Sequence, residues 1–426
     1  MDVKTAFLNS LLEEEIFVEQ PINICDGDRR DKVLKLKRAL YGLVEAPMLW
    51  YKTLKGQMLK MQFDTLKGDP CLFVKTIKRR TQFHMMIIGV FVDDLLMLST
   101  CNDLLQQVKE SLNRSFDMKD LGPAQWVLGM RVNQGIDMIS IDQDQYLKNL
   151  ISRFRDEMSE CNVYRKRPTT PLPSHVDLRR AFPNEEIVNK PFREVVGSLA
   201  YLMTGSRPDI AYAVSWLSRH LSHSTRRHLL AAMHTLLYLD NVDVMSLTYK
   251  KHTKKPRFDS EVRLHGAVDS DFGNDVEESK SVSGILVFMN GLISWRSKRQ
   301  SIVATSTCYA EYVAACEIAR EVLWIRNILI GIGLQVTEPA IILEDNVATE
   351  LLVRNEGITD RSKHIRVKFH HVRECVRDGV MKFVRVSSKE NPADALTKPP
   401  TKHMLKCLFE AAYMARTNDR KAKSGG

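Results

Sequence analysis

The longest apolar stretch of the chain is interrupted by two adjacent acids. Residues 85–92 and 95–98 are apolar or glycine, and they flank Asp93 and Asp94. Short apolar runs rich in β-forming residues predict two buried strands, with the acids at or near the tight turn between them. Because Asp is common in turns, an exposed and inert turn is one interpretation. A divalent cation site is the other, since two carboxylates beside an apolar hairpin repel each other and lose water unless a cation pairs with them.

The spacing of apolar positions divides the rest of the chain. Positions 104–116 have helical spacing, with the apolar residues on one side. Prolines and charged residues predict a linker at about residues 160–190. Residues 191 to about 248 repeat apolar positions at helical intervals, which predicts packed helices. From residue 261 the pattern indicates strands followed by a long helix, and the tail after Pro400 is expected to be frayed and basic.

Composition limits the class of protein. The 426 residues leave room for two or three domains, and an apolar fraction of 44% supports buried cores. The formal net charge of +10 fits a polyanionic partner such as nucleic acid, although it also fits a merely basic soluble protein. Eight scattered cysteines without a C-x-x-C pair predict neither a zinc site nor a disulfide framework. The start of the chain is no signal peptide and no apolar run is long enough for a membrane span, so no membrane association is expected.

A series of short motifs follows one order along most of the chain. Together these motifs resemble the reverse transcriptase of the copia-type LTR retrotransposon Pol polyprotein, and the resemblance extends to about residue 400. A whole series in the right order is far more specific than any single motif. The matching segments are, in order, 1–9, 36–51, 69–73, 93–94, 116–130, 197–199 and 207–211.

The resemblance implies an α/β (α+β) fold with three parts and a tail. A reverse transcriptase palm with a small antiparallel sheet is expected at residues 1–145, without the fingers region that precedes the palm in the family. A thumb- or connection-like helical region is expected at 146–258. A ribonuclease H-like domain, with a mixed sheet flanked by helices, is expected at 259–400, and a basic tail at 401–426.

In the palm, the resemblance implies a polymerase site built on three acids. Asp2, Asp93 and Asp94 are expected to hold two Mg²⁺ ions, with Mn²⁺ as the alternative, and the Val3 carbonyl is expected to add a ligand. Phe7 matches the family's gate against the ribose 2′-hydroxyl, although a buried palm aromatic is nearly as good an interpretation. The residues that match positions beside the nucleotide are Tyr41 and Gly42, and those expected in the core are Trp50 and Tyr51.

Four later acids resemble the active site of ribonuclease H. They follow the family's order at Asp269, Glu311, Asp345 and Asp394. Each acid alone has a plain interpretation, as a surface helix residue, a helix cap or a turn former. As a set they suit phosphodiester hydrolysis with two metal ions about 3.5–4 Å apart, which only several carboxylates could hold so close together. His364 lies in a segment that matches the family and is expected to contact the substrate.

The chain also departs from the family. Only Met1 precedes Asp2, so the strand that bears Asp2 is expected to be frayed and its carboxylate poorly positioned. The other positions with residues unusual for the family are Val44, Glu45, Phe272, Tyr309 and Arg366. None of these residues is a proposed metal ligand, and together they fit a retroelement whose sequence is drifting from that of the family.

Two functions follow from the resemblance. The first is an RNA-directed DNA polymerase with RNA–DNA hybrid ribonuclease H activity, both by two-metal-ion catalysis. The alternative is a truncated, polymerase-inactive remnant that retains only hybrid cleavage or nucleic-acid binding. The implied partners are an RNA template, a DNA primer, the RNA–DNA hybrid and dNTPs. The implied location is the cytoplasm, in virus-like particles in the family, or the nucleus, and the oligomeric state is not predicted.

Overall fold

Two compact units make up the chain in the computed structural model. Most of the first unit is Met1–Ala124, and the second contains nearly all of the later residues. None of the described helices is long and apolar enough to cross a membrane. The residues that the structure describes are 1–21, 32–79, 82–160, 167–173, 179–242, 245–250, 261–273, 275, 277–346, 366–412 and 415–416.

The first unit is built around a six-stranded antiparallel sheet, as expected for a palm. A short 3-10 helix, Ala6–Asn9, follows the first strand. The elements are β1 (Asp2–Val3), β2 (Phe17–Val18), β3 (Leu34–Lys35), α1 (Ala46–Lys60), β4 (Asp64–Thr65), β5 (Leu72–Arg79), β6 (Gln82–Phe91), β7 (Asp94–Ser99), α2 (Asn102–Ser115) and β8 (Met118–Lys119). The strand order is β4-β5-β6-β7-β1-β8, and β2 pairs with β3 separately.

The core of the first unit lies between this sheet and its two helices. The helical spacing predicted at residues 104–116 is confirmed by α2, which buries Leu104, Val108 and Leu112. These side chains share one apolar cluster with residues of α1 and with Ile88 of β6. The strand that leads into the Asp93-Asp94 turn is therefore anchored by the core.

The second unit begins with a sheet that local periodicity does not predict. Its strands are β9 (Trp126–Val127), β10 (Met130–Gln134), β11 (Met138–Asp142) and β12 (Met245–Lys250), and β11 pairs antiparallel with β12. The expectation of helices up to about residue 248 is wrong for β12, because its buried Met245 and Leu247 complete a sheet with partners far away in the sequence. The palm boundary expected at residue 145 stays a prediction, and the main segment of the first compact unit ends at Ala124.

Helices connect β11 to β12, and they confirm the helical spacing seen between residues 191 and 241. Nearly all of their buried apolar side chains belong to one cluster. The described residues between the second and third of these helices contain no helix, which agrees with the predicted linker. The helices are α3 (Asp144–Arg153), α4 (Arg155–Glu160), α5 (Asn189–Gly205), α6 (Ala211–Leu217) and α7 (Arg226–Asn241), with 3-10 turns at Pro208–Ile210 and Ser218–His220.

A five-stranded mixed sheet follows, and it confirms the ribonuclease H-like fold expected here. The elements are β13 (His265–Asp271), β14 (Val282–Phe288), β15 (Leu292–Arg299), α8 (Thr307–Gly331), β16 (Ala340–Glu344), α9 (Arg366–Arg377) and β17 (Met381–Arg385). The strand order is β15-β14-β13-β16-β17. The first three strands pair antiparallel, whereas β16 runs parallel to both β13 and β17.

The tail is more ordered than expected. After 3-10 turns at Ser388–Glu390 and Pro392–Leu396, the chain forms α10 (Lys402–Ala411) and β18 (Ala415–Arg416), which pairs with β12. The frayed tail expected after Pro400 is therefore wrong up to residue 412. The reason is burial of Leu405 and Leu408, which pack α10 into the unit.

Candidate active sites

The first candidate site lies at the turn between β6 and β7. Phe91 pairs with Asp94, so Val92 and Asp93 form the turn, as the apolar pattern predicts. Val92 has a φ of 55°, a left-handed conformation that is unusual for a β-branched residue. The indole Nε1 of Trp50 donates a 2.7 Å hydrogen bond to the Val92 carbonyl. Trp50 is buried as expected, and it also holds the backbone of the acidic turn, a contact that the sequence does not suggest.

Asp2 lies directly beside this turn. Strand β1 is inserted between β7 and β8, and Asp2 is the register partner of Asp94. The Val3 amide donates to the Asp93 carbonyl at 2.9 Å, and the Leu95 amide donates to the Met1 carbonyl at 2.8 Å. The expectation of a frayed β1 is therefore wrong, because pairing on both edges fixes this short strand.

The three palm acids form a region of negative charge. Partial loss of hydration, followed by the charges of Asp2 and Asp93, raises the pKa of the Asp94 carboxyl above its ordinary value. Residues directly opposite in an antiparallel pair have Cβ atoms about 4.5–5.5 Å apart, and like charges there are destabilising. A cation between these carboxylates would remove that repulsion.

Phe7, Tyr41 and Gly42, which the sequence predicts beside the nucleotide, lie close together. The ring centroids of Phe7 and Tyr41 are 4.5 Å apart, with Phe7 buried and Tyr41 54% exposed. Gly42 has a φ of 99°, which strongly favours glycine. The Val3 side chain lies in the core, so only the backbone of Val3, including the carbonyl expected as a ligand, is available beside Asp2.

The second candidate site lies at one end of the mixed sheet. Asp269 is in β13, Glu311 is in the first turns of α8, and Asp345 directly follows β16. Each contributes a carboxylate oxygen to a group whose members all lie within 4.8 Å of one another. Among the described residues, the palm acids do not form so tight a group.

The fourth acid, Asp394, lies beside this group in the turn Pro392–Leu396. Thr397 donates from Oγ1 to Asp269 Oδ2, and Lys398 Nζ lies 3.0 Å from Asp394 Oδ2. Asn391 Nδ2 donates to the Val268 carbonyl at 2.9 Å, which ties the turn to β13. These contacts fix Asp269 and Asp394 relative to each other.

The electrostatics of the second site favour a cation. Burial, and then the charge of Asp394, raises the pKa of Asp269 to about 7. Burial, and then the charge of Glu344, raises the pKa of Glu311 far above its ordinary value. Glu311 Oε2 and Asp394 Oδ1 are buried without a hydrogen-bond partner. Buried carboxylate oxygens that lack donors suit a hard divalent cation such as Mg²⁺.

Two further buried residues were not found by sequence reasoning. Glu344 is only 1% exposed, on the same strand face as apolar Ala340 and Ile342. An acid at an apolar position of a strand was the signal that could have revealed it. The Gln300 amide donates to the Ala310 carbonyl at 2.8 Å and to the hydroxyls of Ser270 and Ser283, and no local pattern predicts that contact.

One predicted site residue lies outside the described residues. This residue is His364, so its expected contact with the substrate stays a prediction.

An antiparallel palm sheet bearing adjacent acids, followed by a mixed sheet bearing a tight acidic group, defines the reverse transcriptase–ribonuclease H class. Residues 1–171 match the family model for reverse transcriptase (RNA-dependent DNA polymerase). The Pol polyprotein from transposon TNT 1-94 of Nicotiana tabacum is 36% identical over 408 residues, covering 93% of this chain. The putative transposon Ty5-1 protein of Saccharomyces cerevisiae is 30% identical, over 76% of this chain and 100% of that protein. The chain belongs to the family of copia-type retrotransposon Pol polyproteins.

The matches cover most of this chain but a smaller share of some of the compared proteins. The chain spans 29% of the length of the tobacco polyprotein. Among solved structures, the foamy viral protease–reverse transcriptase in complex with an RNA/DNA hybrid aligns with 91% of this chain and 43% of its own. The TM-score of that alignment is 0.45, at 11% sequence identity.

Proposed function

We propose that this chain is an RNA-directed DNA polymerase with RNA–DNA hybrid ribonuclease H activity, and that both sites use two Mg²⁺ ions. The observation that carries the proposal is the tight group of Asp269, Glu311 and Asp345, whose oxygens lie within 4.8 Å of one another and of which Asp269 and Glu311 are buried. Mn²⁺ is the alternative cation, because it shares the preference of Mg²⁺ for carboxylate ligands.

In the nuclease site, four acids would hold the metal ions. They would supply only oxygen ligands, from Asp269, Glu311, Asp345 and Asp394. The rest of the protein then contributes by fixing the positions of these carboxylates. Bound Mg²⁺ would supply an activated water and stabilise the leaving oxygen of the phosphodiester. Thr397 holds Asp269 in place through its hydroxyl, and Lys398 balances the charge of Asp394.

In the polymerase site, Asp2, Asp93 and Asp94 would hold the metal ions, with the Val3 carbonyl as a further ligand. Bound Mg²⁺ would assist the primer 3′-hydroxyl and clamp the triphosphate of the incoming dNTP. Phe7, with Tyr41 against its ring, would face the ribose. The register of β1 against β7 supports this arrangement, because it places Asp2 beside Asp94.

The partners proposed for this chain are an RNA template, a DNA primer, the RNA–DNA hybrid and dNTPs. The net charge of +10 supports contacts to phosphates, so binding should tolerate different sequences and weaken with salt. We place the chain in the cytoplasm or the nucleus.

Cleavage of a labelled RNA–DNA hybrid tests the nuclease. Wild type should cut the RNA strand in Mg²⁺, whereas Asp345→Asn, which removes one ligand charge, should lose at least about a hundredfold in rate. Glu338→Gln is the matched control, since Glu338 is an exposed acid just before β16. Absence of Mg²⁺-dependent cleavage by wild type, under conditions where the chain is folded, would refute the nuclease function.

Primer extension on an RNA template tests the polymerase separately. Asp93→Asn should abolish extension, and Asp64→Asn, at an exposed position of β4, should not. The second candidate function is hybrid cleavage without polymerisation. It is favoured by one observation, namely that the tight carboxylate group among the described residues is in the ribonuclease H-like sheet. A chain that cuts hybrids and extends no primer would establish that alternative.

A further inference from the structure

Glu344 is a buried acid that the four-acid nuclease site does not use. It ends β16 and is 1% exposed. Glu344 lies two residues after Ile342, so the two side chains leave the same face of the sheet. That face packs against α8, because Ile342 Cδ1 and Ile318 Cδ1 both approach Gly266 closely. Glu344 therefore lies between the sheet and the helix that carries Glu311.

The hydrogen bonds of Glu344 are incomplete. Its Oε1 accepts a 3.1 Å hydrogen bond from the Asn346 amide, whereas Oε2 is buried and has no hydrogen-bond partner. Glu311 has an unpartnered, buried Oε2 as well. Among the charged neighbours of Glu311, Glu344 acts on it most strongly. Two buried carboxylates with unpartnered oxygens thus lie close enough for their charges to interact.

Two ionised carboxylates in this arrangement are unfavourable unless protons or a cation neutralise them. Buried polar groups are almost always hydrogen-bonded, and buried charges are paired or coordinate metals. The ion pairs seen among the described residues of this site reach Asp394, through Lys398, and not Glu344. A divalent cation would satisfy both unpartnered oxygens at once, and oxygen ligands are the ones that Mg²⁺ prefers.

We propose that Glu344 is a fifth carboxylate of the nuclease cation site, which acts together with Glu311 on one of the two divalent cations. The proposal rests on the proposed function, since it requires that the site binds divalent cations. Glu344 is not part of the tight group of Asp269, Glu311 and Asp345. Because its strand face packs against α8, its oxygen would reach the cation from the side of that helix. A fifth charge tightens cation binding, because the charge count of the ligands tunes the affinity of such sites.

Binding of Mg²⁺ alone to the full chain, without nucleic acid, tests the role of Glu344. The readouts are the thermal unfolding midpoint across a Mg²⁺ series and isothermal titration. Glu344→Gln keeps the shape and removes the charge. It should raise the midpoint of the metal-free protein and require at least about tenfold more Mg²⁺ for half-maximal stabilisation. Glu338→Gln, the exposed control, should change neither quantity.

Two further variants separate the possible outcomes. Glu344→Met fills a similar volume without a polar atom and should show the same two effects, so the test does not depend on one variant folding. Asp345→Asn should weaken Mg²⁺ binding whatever Glu344 does. If Asp345→Asn weakens binding and the Glu344 variants change only the metal-free midpoint, Glu344 is structural and the proposal is overturned. If no variant, Asp345→Asn included, alters the Mg²⁺ dependence, the cation site itself is refuted, and the proposed nuclease function with it.

Discussion

Removal of the Thr397 hydroxyl should weaken the nuclease site without unfolding the protein. Thr397 is fully buried, and its Oγ1 donates to Asp269 Oδ2 and lies 3.2 Å from the Asp394 carbonyl oxygen. Thr397→Val keeps nearly the same shape but removes this donor. A hydrogen bond to a charged group contributes about 1.5–3 kcal/mol. Because each 1.4 kcal/mol is about a tenfold change in an equilibrium constant, its loss corresponds to roughly a 10- to 150-fold change.

The loss should be seen in cation binding. Partners that orient a metal ligand typically contribute about 10- to 100-fold in metal affinity or activity. The Thr397 hydrogen bond also opposes the burial that raises the pKa of Asp269, so its removal should raise this pKa further and let protons compete better with Mg²⁺. We therefore expect the half-maximal Mg²⁺ concentration to rise about 10- to 100-fold in hybrid cleavage and in calorimetric titration.

A matched variant distinguishes this effect from a general loss of stability. Thr204→Val makes the same substitution at an exposed residue of α5, whose hydroxyl bonds only to carbonyls of its own helix at 3.0 and 3.2 Å. It should leave the Mg²⁺ dependence unchanged. Should Thr397→Val lower the unfolding midpoint yet keep the wild-type Mg²⁺ dependence, the hydroxyl would be structural and this reasoning would be wrong.

Three other outcomes are expected. Mg²⁺ affinity, measured by calorimetry, should fall as the pH is lowered through about 7, because protons then occupy Asp269, whose pKa burial raises to about 7. Burial, together with the charges of His228 and Arg219, lowers the pKa of His220 from 6.5 to about 4. The unfolded chain therefore binds this proton first, and chemical denaturation should show stability falling as the pH falls from 6.5 to 4 in wild type, but less in His220→Asn. Trp50→Phe should lower the free energy of unfolding by about 1–3 kcal/mol and slow primer extension, while hybrid cleavage stays unchanged.

Local sequence patterns predicted the helices and strands themselves better than they predicted which strands pair with each other. The apolar runs on either side of Asp93 and Asp94 correctly predicted a hairpin, because a strand pair joined by a tight turn is a local structure. The pairing of β11 with β12 joins segments separated by five helices, so no periodicity within either segment reports it. For the same reason the firm pairing of β1 was missed: its partners are β7 and β8, whereas the expectation of fraying considered only the neighbours of Asp2 in sequence.

In the candidate sites too, the sequence indicated the individual residues but not the tertiary contacts between them. The order of the acids indicated which residues to examine, and the structure brings together Asp269 of β13, Glu311 of α8 and Asp345, which directly follows β16. The sequence could not show which buried residues support them, since Thr397 and Gln300 act through contacts that depend on how the sheet and α8 pack. Glu344 is the exception, because strand alternation alone places this acid on an apolar face.

The two sites differ in how they bear the repulsion between their acids. In the palm, Asp94 is exposed and Asp2 half-buried, so water screens much of the repulsion and the strands can hold the acids in register without a cation. At the end of the mixed sheet, Asp269, Glu311 and Glu344 are all buried, and the described contacts include one hydroxyl donor and one lysine near them. Their charges can be relieved there only by protons or by a cation, so the stability of the second unit should depend on Mg²⁺ much more strongly than that of the first. In the sequence, the adjacent palm acids were the clearer indication of a metal site. In the structure, the nuclease acids are more deeply buried, so they need a metal ion more than the palm acids do.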